Sequence, residues 1–339
     1  MRAIRLVLAV CVALVWSFPA FTQSSPSRAA EGKPEGVNAE QIFNAIVKVS
    51  MHAIPDARSS ATLGSEREGT GVVIGDNGLI LTIGYLIVEA DEVSVLDNKG
   101  RTFSARVVGY DHATGFGLLR TLAPIDAKPV ALGDSGKAAA RDPVMIASSG
   151  DDRVAFAYVV SKRPFSGNWE YALEQALYTS PPVLNWSGAA LFDRNGKLVG
   201  VGSLIVREAN ESEPRIPGNV FVPIDLLKPI LADIEKTGRR AGPARPWLGV
   251  AADEVSGRLV VTRVSAEGPA DKAGLKPGDI ILGVGTESVR TQPEFYRKVW
   301  ARGAAGSTIP LKVLQGVDLK EVPVKSIDRM EYFKARTTY

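Results

Sequence analysis

Residues 183–191 read VLNWSGAAL, and Ser187 stands there before a glycine and an apolar run. A serine hydroxyl is a poor nucleophile at neutral pH until a positioned base accepts its proton. In a serine–histidine–carboxylate triad the imidazole is that base, and the carboxylate fixes its tautomer and orientation. The 339-residue chain offers only two imidazoles, His52 and His112. His52, in VKVSMHAIP, closes an early strand and is structural or solvent-facing. His112 follows Asp111 on a loop, where it is either a surface histidine or a rearranged partner for Ser187. Two histidines are too few for a multi-histidine metal site. The single cysteine, Cys11, lies in the N-terminal apolar run, so the mature chain has no thiolate chemistry and no disulfide. The sequence therefore calls for no metal and no cofactor.

The elements that must position Ser187 read as strands. GVVIGD and LILTI flank Asn77-Gly78, a hairpin signal. EVSVL and TFSARVVGY flank residues 97–100, PVMIASS and RVAFAYVVS flank 150–152, and AALFD and KLVGVGSLIV flank 194–196. From Ala39 to about Val222 the pattern is short β-runs with turn punctuation and no long helical stretch, which predicts antiparallel barrels or a sandwich. IDLLKPILADIEKTG then predicts one helix, with Leu226, Leu227, Ile230, Leu231 and Ile234 at helical spacing. Asp225 is its expected N-cap, Pro229 lies in its first turn, and Gly238 is its stop. RRAGPARP, residues 239–246, suits an interdomain linker. Strands return after Trp247, with helices expected near 269–274 and 292–302.

The length suggests two domains, and 45% hydrophobic content supplies real cores. A formal charge of +3 is too small and dispersed for a nucleic-acid binder. Arg2 and Arg5 precede an apolar run over 6–18, shorter than the ~20 residues that span a bilayer. The run reads as a secretory signal peptide cleaved after Thr22; the alternative is an uncleaved anchor. Cleavage lowers the charge from +3 to +1, so no stable membrane insertion is expected afterwards. Residues 23–38 read as a flexible lead-in.

In order along the chain, GTGVVIGDNGLILT (69–82), ADEVSVLDNKGRTFSARVVGYD (90–111), VALGDS (130–135) and NWSGAALFDRNGKLVGV (185–201) resemble the HtrA/Deg family, secreted trypsin-like serine proteases followed by a PDZ domain. The resemblance covers about 40–325. It implies a mainly β chain: a trypsin-like double β-barrel over 39–238, a linker over 239–246, a PDZ domain (α+β) over 247–325 and a tail over 326–339. The signal-like N-terminus implies export to the periplasm.

The family places its histidine three residues after the threonine of Leu-Thr; Leu81-Thr82 is followed by Ile83, Gly84 and Tyr85. It places its aspartate four residues after that of a Gly-x-Asp turn; here that position, counted from Asp111, is Gly115. Of the triad only Ser187 remains. A phenol with an ordinary pKa near 10 is a poor base at pH 7, and loss of one triad member already costs ~10⁴–10⁶ in rate. In the oxyanion loop Asn185 replaces a glycine and Trp186 a small polar residue. Asn185 tolerates the turn, whereas the bulk of Trp186 disturbs a geometry in which about 1 Å matters.

WLGV (247–250) resembles the family's carboxylate-binding loop, where successive N–H groups of Leu248, Gly249 and Val250 beside Trp247 grip a peptide C-terminus. GPADKAGLKPGDIILGVG (268–285) resembles the family's helix, turn and strand. Phe295 and Val299, one helical turn apart, line the groove or only pack the core. The expected function is that of a secreted HtrA-like pseudoprotease that binds peptides or unfolded proteins, through C-terminal carboxylates, in envelope protein quality control or regulation. Homo-oligomers and association with active HtrA relatives are the other expected partners. The alternative is an active serine endopeptidase with a non-standard site at Ser187; a third reading is a scaffold without peptide specificity.

Overall fold

The computed structural model describes residues 39–150 and 153–334, all within one unit of the chain. The expected signal peptide, lead-in and Cys11 lie outside the described residues. The described residues open on helix α1 (Ala39–Ala45) where the sequence reading placed strands. The segment AEQIFNA is built from good helix formers, and its Ile42 and Ala45, three apart, are the positions it buries.

Six strands follow, β1 (Ile46–Ala53), β2 (Glu66–Gly75), β3 (Leu79–Ile83), β4 (Ala90–Leu96), β5 (Thr102–Tyr110) and β6 (Phe116–Thr121), with the short helix α2 (Ser60–Leu63) between the first two. They close a barrel in the order β1-β2-β3-β6-β5-β4. β3 is buried at every position: one face lines its own barrel and the other meets the second barrel. β3 pairs with β6 so that Ile83 opposes Phe116. That register brings the residues just after β3 against those just before β6.

The second barrel runs β10-β11-β12-β9-β8-β7, from β7 (Pro143–Ala147), β8 (Val154–Gly167), β9 (Tyr171–Ser180), β10 (Ala190–Phe192), β11 (Leu198–Val206) and β12 (Gly218–Pro223). One apolar core containing Leu81, Phe116, Phe192 and Val222 passes through both barrels. A second cluster, with Val159, Leu191 and Phe221, draws its strand residues from the second barrel alone.

The helix expected from Asp225 is divided. A 3₁₀ turn spans Ile224–Leu226, and helix α3 (Leu231–Thr237) begins only after Pro229. Proline has no N–H and its ring excludes the carbonyl four residues back, here that of Asp225, so the first turn cannot be α-helical across it. The Asp225 carboxylate caps nothing in α3. It accepts the Gly136 N–H at 2.7 Å and pairs with Lys228.

The third body is a sheet in the order β13-β14-β15-β17-β18, from β13 (Val250–Val255), β14 (Arg258–Val264), β15 (Ile280–Val284), β17 (Thr308–Gln315) and β18 (Asp318–Lys325), with β16 (Glu287–Ser288) paired to β15. Helices α4 (Pro269–Lys272) and α5 (Gln292–Trp300) pack on it. Thr291 caps α5, accepting the Glu294 N–H, and the helix buries Phe295, Tyr296 and Val299. Past this sheet the chain turns back: helix α6 (Arg329–Tyr332) returns to the first barrel, where Arg58 donates to the Tyr332 carbonyl at 2.9 Å.

Candidate catalytic cleft and carboxylate loop

Ser187 sits on the loop before β10. Its carbonyl accepts the Thr70 N–H from β2 at 2.8 Å, and Thr82 Oγ1 bonds the Thr70 carbonyl at 2.7 Å. The loop is thereby tied to β2 and, through it, to the end of β3. Tyr85 follows β3 on a 3₁₀ turn, Gly84–Leu86. Its hydroxyl lies 2.8 Å from Ser187 Oγ and 2.9 Å from the Ser203 carbonyl oxygen. A carbonyl can only accept, and a phenol has one proton. Both contacts are satisfied together when Tyr85 donates to Ser203 and the Ser187 hydroxyl donates to Tyr85.

Tyr85 thus receives the serine proton as a hydrogen bond, the place a catalytic base would take. Its chemistry does not suit the task. Burial pushes the phenol up to about 12, against the smaller opposing effect of the hydrogen bond to Ser187. At pH 7 a group with that pKa is ionised about once in 10⁵ molecules. The neutral phenol has no basic lone pair of use at this pH.

Gly115 stands next to this pair. Its carbonyl accepts the Gly84 N–H at 2.6 Å, a consequence of the β3–β6 register. Its backbone is left-handed, φ +83°, and a Cβ added there would meet the Tyr171 hydroxyl at 3.2 Å. Tyr171, from β9, donates to the Thr114 carbonyl at 2.6 Å. A tyrosine ring therefore occupies the space toward which a carboxylate at 115 would project. The nearest aspartate in sequence, Asp111, is buried and turned elsewhere: it caps its own loop through the Thr114 N–H and hydroxyl and faces Arg240 at 3.4 Å.

Neither histidine joins Ser187. His112 is not the surface histidine of the sequence reading. Its ring packs on Tyr110 and Phe333, with centroids 4.4 and 5.9 Å away, and both ring nitrogens are shut off from solvent with no hydrogen-bond partner among the described residues. Burial holds its pKa well below the usual range, so the ring is neutral. His52 is exposed and pairs with Glu66. Ser187 opens onto a cavity of about 1000 Å³ lined by Tyr85, Trp186, Trp169 and Trp247 among others. Among the described residues that line it there is no histidine, and its one carboxylate, Glu267, is paired with Arg58.

The second candidate site is the turn entering β13. Gly249 has φ +81°, and its added Cβ would press on the Trp247 ring at 3.1 Å, so the turn requires glycine there. The N–H groups of Leu248, Gly249 and Val250 point to one place, and a carboxylate fills it: that of Glu170. Leu248 N–H lies 2.9 Å from Oε2, and Gly249 and Val250 N–H lie 2.6 and 2.9 Å from Oε1. Glu170 comes from the tip of the β8–β9 hairpin. Burial pushes its carboxyl up to about 7, opposed by the backbone donors and by Arg329. Leu248, Phe295 and Val299 belong to the apolar core beneath this turn, and Trp247 packs against Tyr332 at 4.7 Å.

Residues 69–201 match the trypsin-like peptidase domain, and residues 246–325 match the PDZ domain. The chain is 27% identical over 278 residues to "Probable periplasmic serine endoprotease DegP-like" of Hahella chejuensis, covering 77% of this chain and 57% of that one. It is 27% identical over 268 residues to "Serine endoprotease DegS" of Haemophilus influenzae, covering 76% of each. The chain belongs to the HtrA/Deg family. It spans less than two thirds of the DegP-like relative's length. Among solved structures its fold is similar to the HtrA-type protease AlgW with decapeptide, with TM-score 0.53 and 20% identity over 88% of this chain and 98% of that one.

Against the HtrA/Deg pattern, the departures at Tyr85 and Gly115 were legible in sequence. The residues that fill the vacated space were not. Tyr171 and Glu170 lie in SGNWEYAL, where only Gly167-Asn168 signals a turn, and their partners stand 57 to 80 positions away in sequence. A lone carboxylate between two aromatics was the available hint, and nothing local says what it binds.

Proposed function

We propose that this HtrA/Deg chain is a secreted pseudoprotease that binds peptides or unfolded proteins through its PDZ segment, in envelope protein quality control or regulation. The observation that carries the reading is the Tyr85–Ser187 hydrogen bond: the group beside the serine is a phenol whose pKa is pushed up to about 12. Support for peptide binding comes from the convergent N–H groups of residues 248–250, and from the decapeptide bound to the structurally similar AlgW. A periplasmic setting is supported by the printed names of the DegP-like relatives and by the signal-like N-terminus. Among the described residues no helix is long and apolar enough to cross a membrane.

The competing reading, an active endopeptidase, draws on Ser187 being present and on relatives named endoproteases. Digestion of unfolded casein by the purified mature protein separates the two. The pseudoprotease reading expects the same rate from wild type and Ser187→Ala. Turnover that disappears in Ser187→Ala would establish the endopeptidase.

A further inference from the structure

The β8–β9 hairpin tip does more than pass near the PDZ segment. Its contacts reach both sides of the space between β13 and α5. On the α5 side, the Tyr296 hydroxyl donates to the Gly167 carbonyl at 2.8 Å and accepts the Glu170 N–H at 3.3 Å, and Gln292 meets Ser166 at 3.2 Å. On the β13 side, Asn168 donates to Asp253 at 3.0 Å. Arg329 donates to the Trp169 carbonyl at 3.1 Å, and Ala172 packs on the PDZ core. At the end of this space the Glu170 carboxylate takes the three N–H groups that would otherwise hold the carboxylate of a peptide.

We propose that Glu170 is an internal ligand of the carboxylate loop, so that peptides with free C-termini bind only in competition with the β8–β9 hairpin tip. The proposal rests on the peptide-binding reading above and specifies how that site is regulated. The chemistry is shared: a carboxylate and three convergent backbone donors. The difference is covalent attachment. A tethered group acts at an effective concentration of about mM, so it outcompetes a dilute peptide of similar intrinsic affinity. The apparent affinity for peptide is then reduced by the fraction of molecules in which the tip has withdrawn. Glu170 also holds φ +58°, an uncommon conformation for a non-glycine residue, which persists because the contacts on both sides fix it.

The test uses the full mature protein, its Glu170→Ala and Glu170→Gln variants, and a labelled pool of random decapeptides ending in a free valine, with the amidated pool as control. Gln keeps one acceptor and puts an NH2 group, which cannot accept, in place of the other oxygen, so it separates a lost acceptor from lost folding. The expected result is at least ~10-fold tighter binding of the free-acid pool to Glu170→Ala, a smaller gain for Glu170→Gln, and no gain for the amidated pool. Equal binding of the free-acid pool to all three proteins would overturn the occlusion and leave peptide binding standing. If no protein binds the pool, the peptide-binding reading fails, and amide hydrogen exchange at 248–250 decides the occlusion. Protection in wild type that is lost in Glu170→Ala supports it; unchanged protection overturns it.

Discussion

The hydroxyl of Tyr85 lies 2.8 Å from Ser187 Oγ, and burial pushes that phenol up to about 12. The second contact of the phenol, 2.9 Å to the Ser203 carbonyl, commits its one proton and joins the two barrels at the cleft. Tyr85 is therefore a structural pin across the barrel interface as well as the hydrogen-bond partner of Ser187. Tyr85→Phe should lower the melting temperature by a few degrees, because it leaves the Ser203 carbonyl without this donor, a loss of about 1–3 kcal/mol where such a group is buried. Differential scanning calorimetry of the two proteins measures it.

Restoring the triad letters should not restore the triad. Tyr85→His with Gly115→Asp places an aspartate in a left-handed backbone, φ +83°, which costs an L-residue about 1–2 kcal/mol. Its Cβ would also stand 3.2 Å from the Tyr171 hydroxyl. The double variant is expected to melt below wild type and to leave casein intact at the level of the Ser187→Ala control.

The buried carboxyl of Glu170 carries a pH signature. Burial raises its docked pKa from the ordinary 4.5 to about 7. A group with a raised folded-state pKa holds its proton more tightly in the folded state. Its stabilisation is complete below about 4.5 and is lost as pH rises through 7. Tyr296 on α5, Asp253 on β13 and Arg329 on α6 are the titratable or charged groups around it. Thermal melts between pH 4.5 and 8 should show wild type losing stability relative to Glu170→Gln as pH rises to 7, with a constant difference above that.

His112 titrates in the opposite sense. Its folded pKa lies well below 6.5 because burial disfavours the imidazolium, with Arg329 adding to the effect. The unfolded chain takes up the proton first, so stability falls as pH drops below 6.5. His112→Phe removes the titration and two unpartnered ring nitrogens while keeping a ring against Tyr110 and Phe333. The variant should melt above wild type at pH 5 by a larger margin than at pH 8.

Much of the architecture could be read from the chain because it is local. The turns at Asn77-Gly78 and at 194–196 join strands that are neighbours in sequence, β2 to β3 and β10 to β11. The helices at Pro269–Lys272 and Gln292–Trp300 fall where the spacing put them. The interrupted helix at Pro229 was misread because five apolar residues at helical spacing outweighed one proline. The positions of Tyr85 and Gly115 were legible because each is counted from a motif a few residues away. Tyr171 and Glu170 were not, because their roles depend on a barrel register and on the packing of one body of the chain against another. No short window of sequence encodes either.

The central claim concerns the reactivity of one hydroxyl, and a fluorophosphonate reads it without any choice of substrate. Intact-mass spectrometry of the mature protein after incubation with the probe at pH 7 should find the chain unmodified, as in Ser187→Ala, because Tyr85 cannot remove the serine proton. A stoichiometric adduct that maps to Ser187 and is absent from Ser187→Ala would contradict the account and show that a base reaches this serine after all.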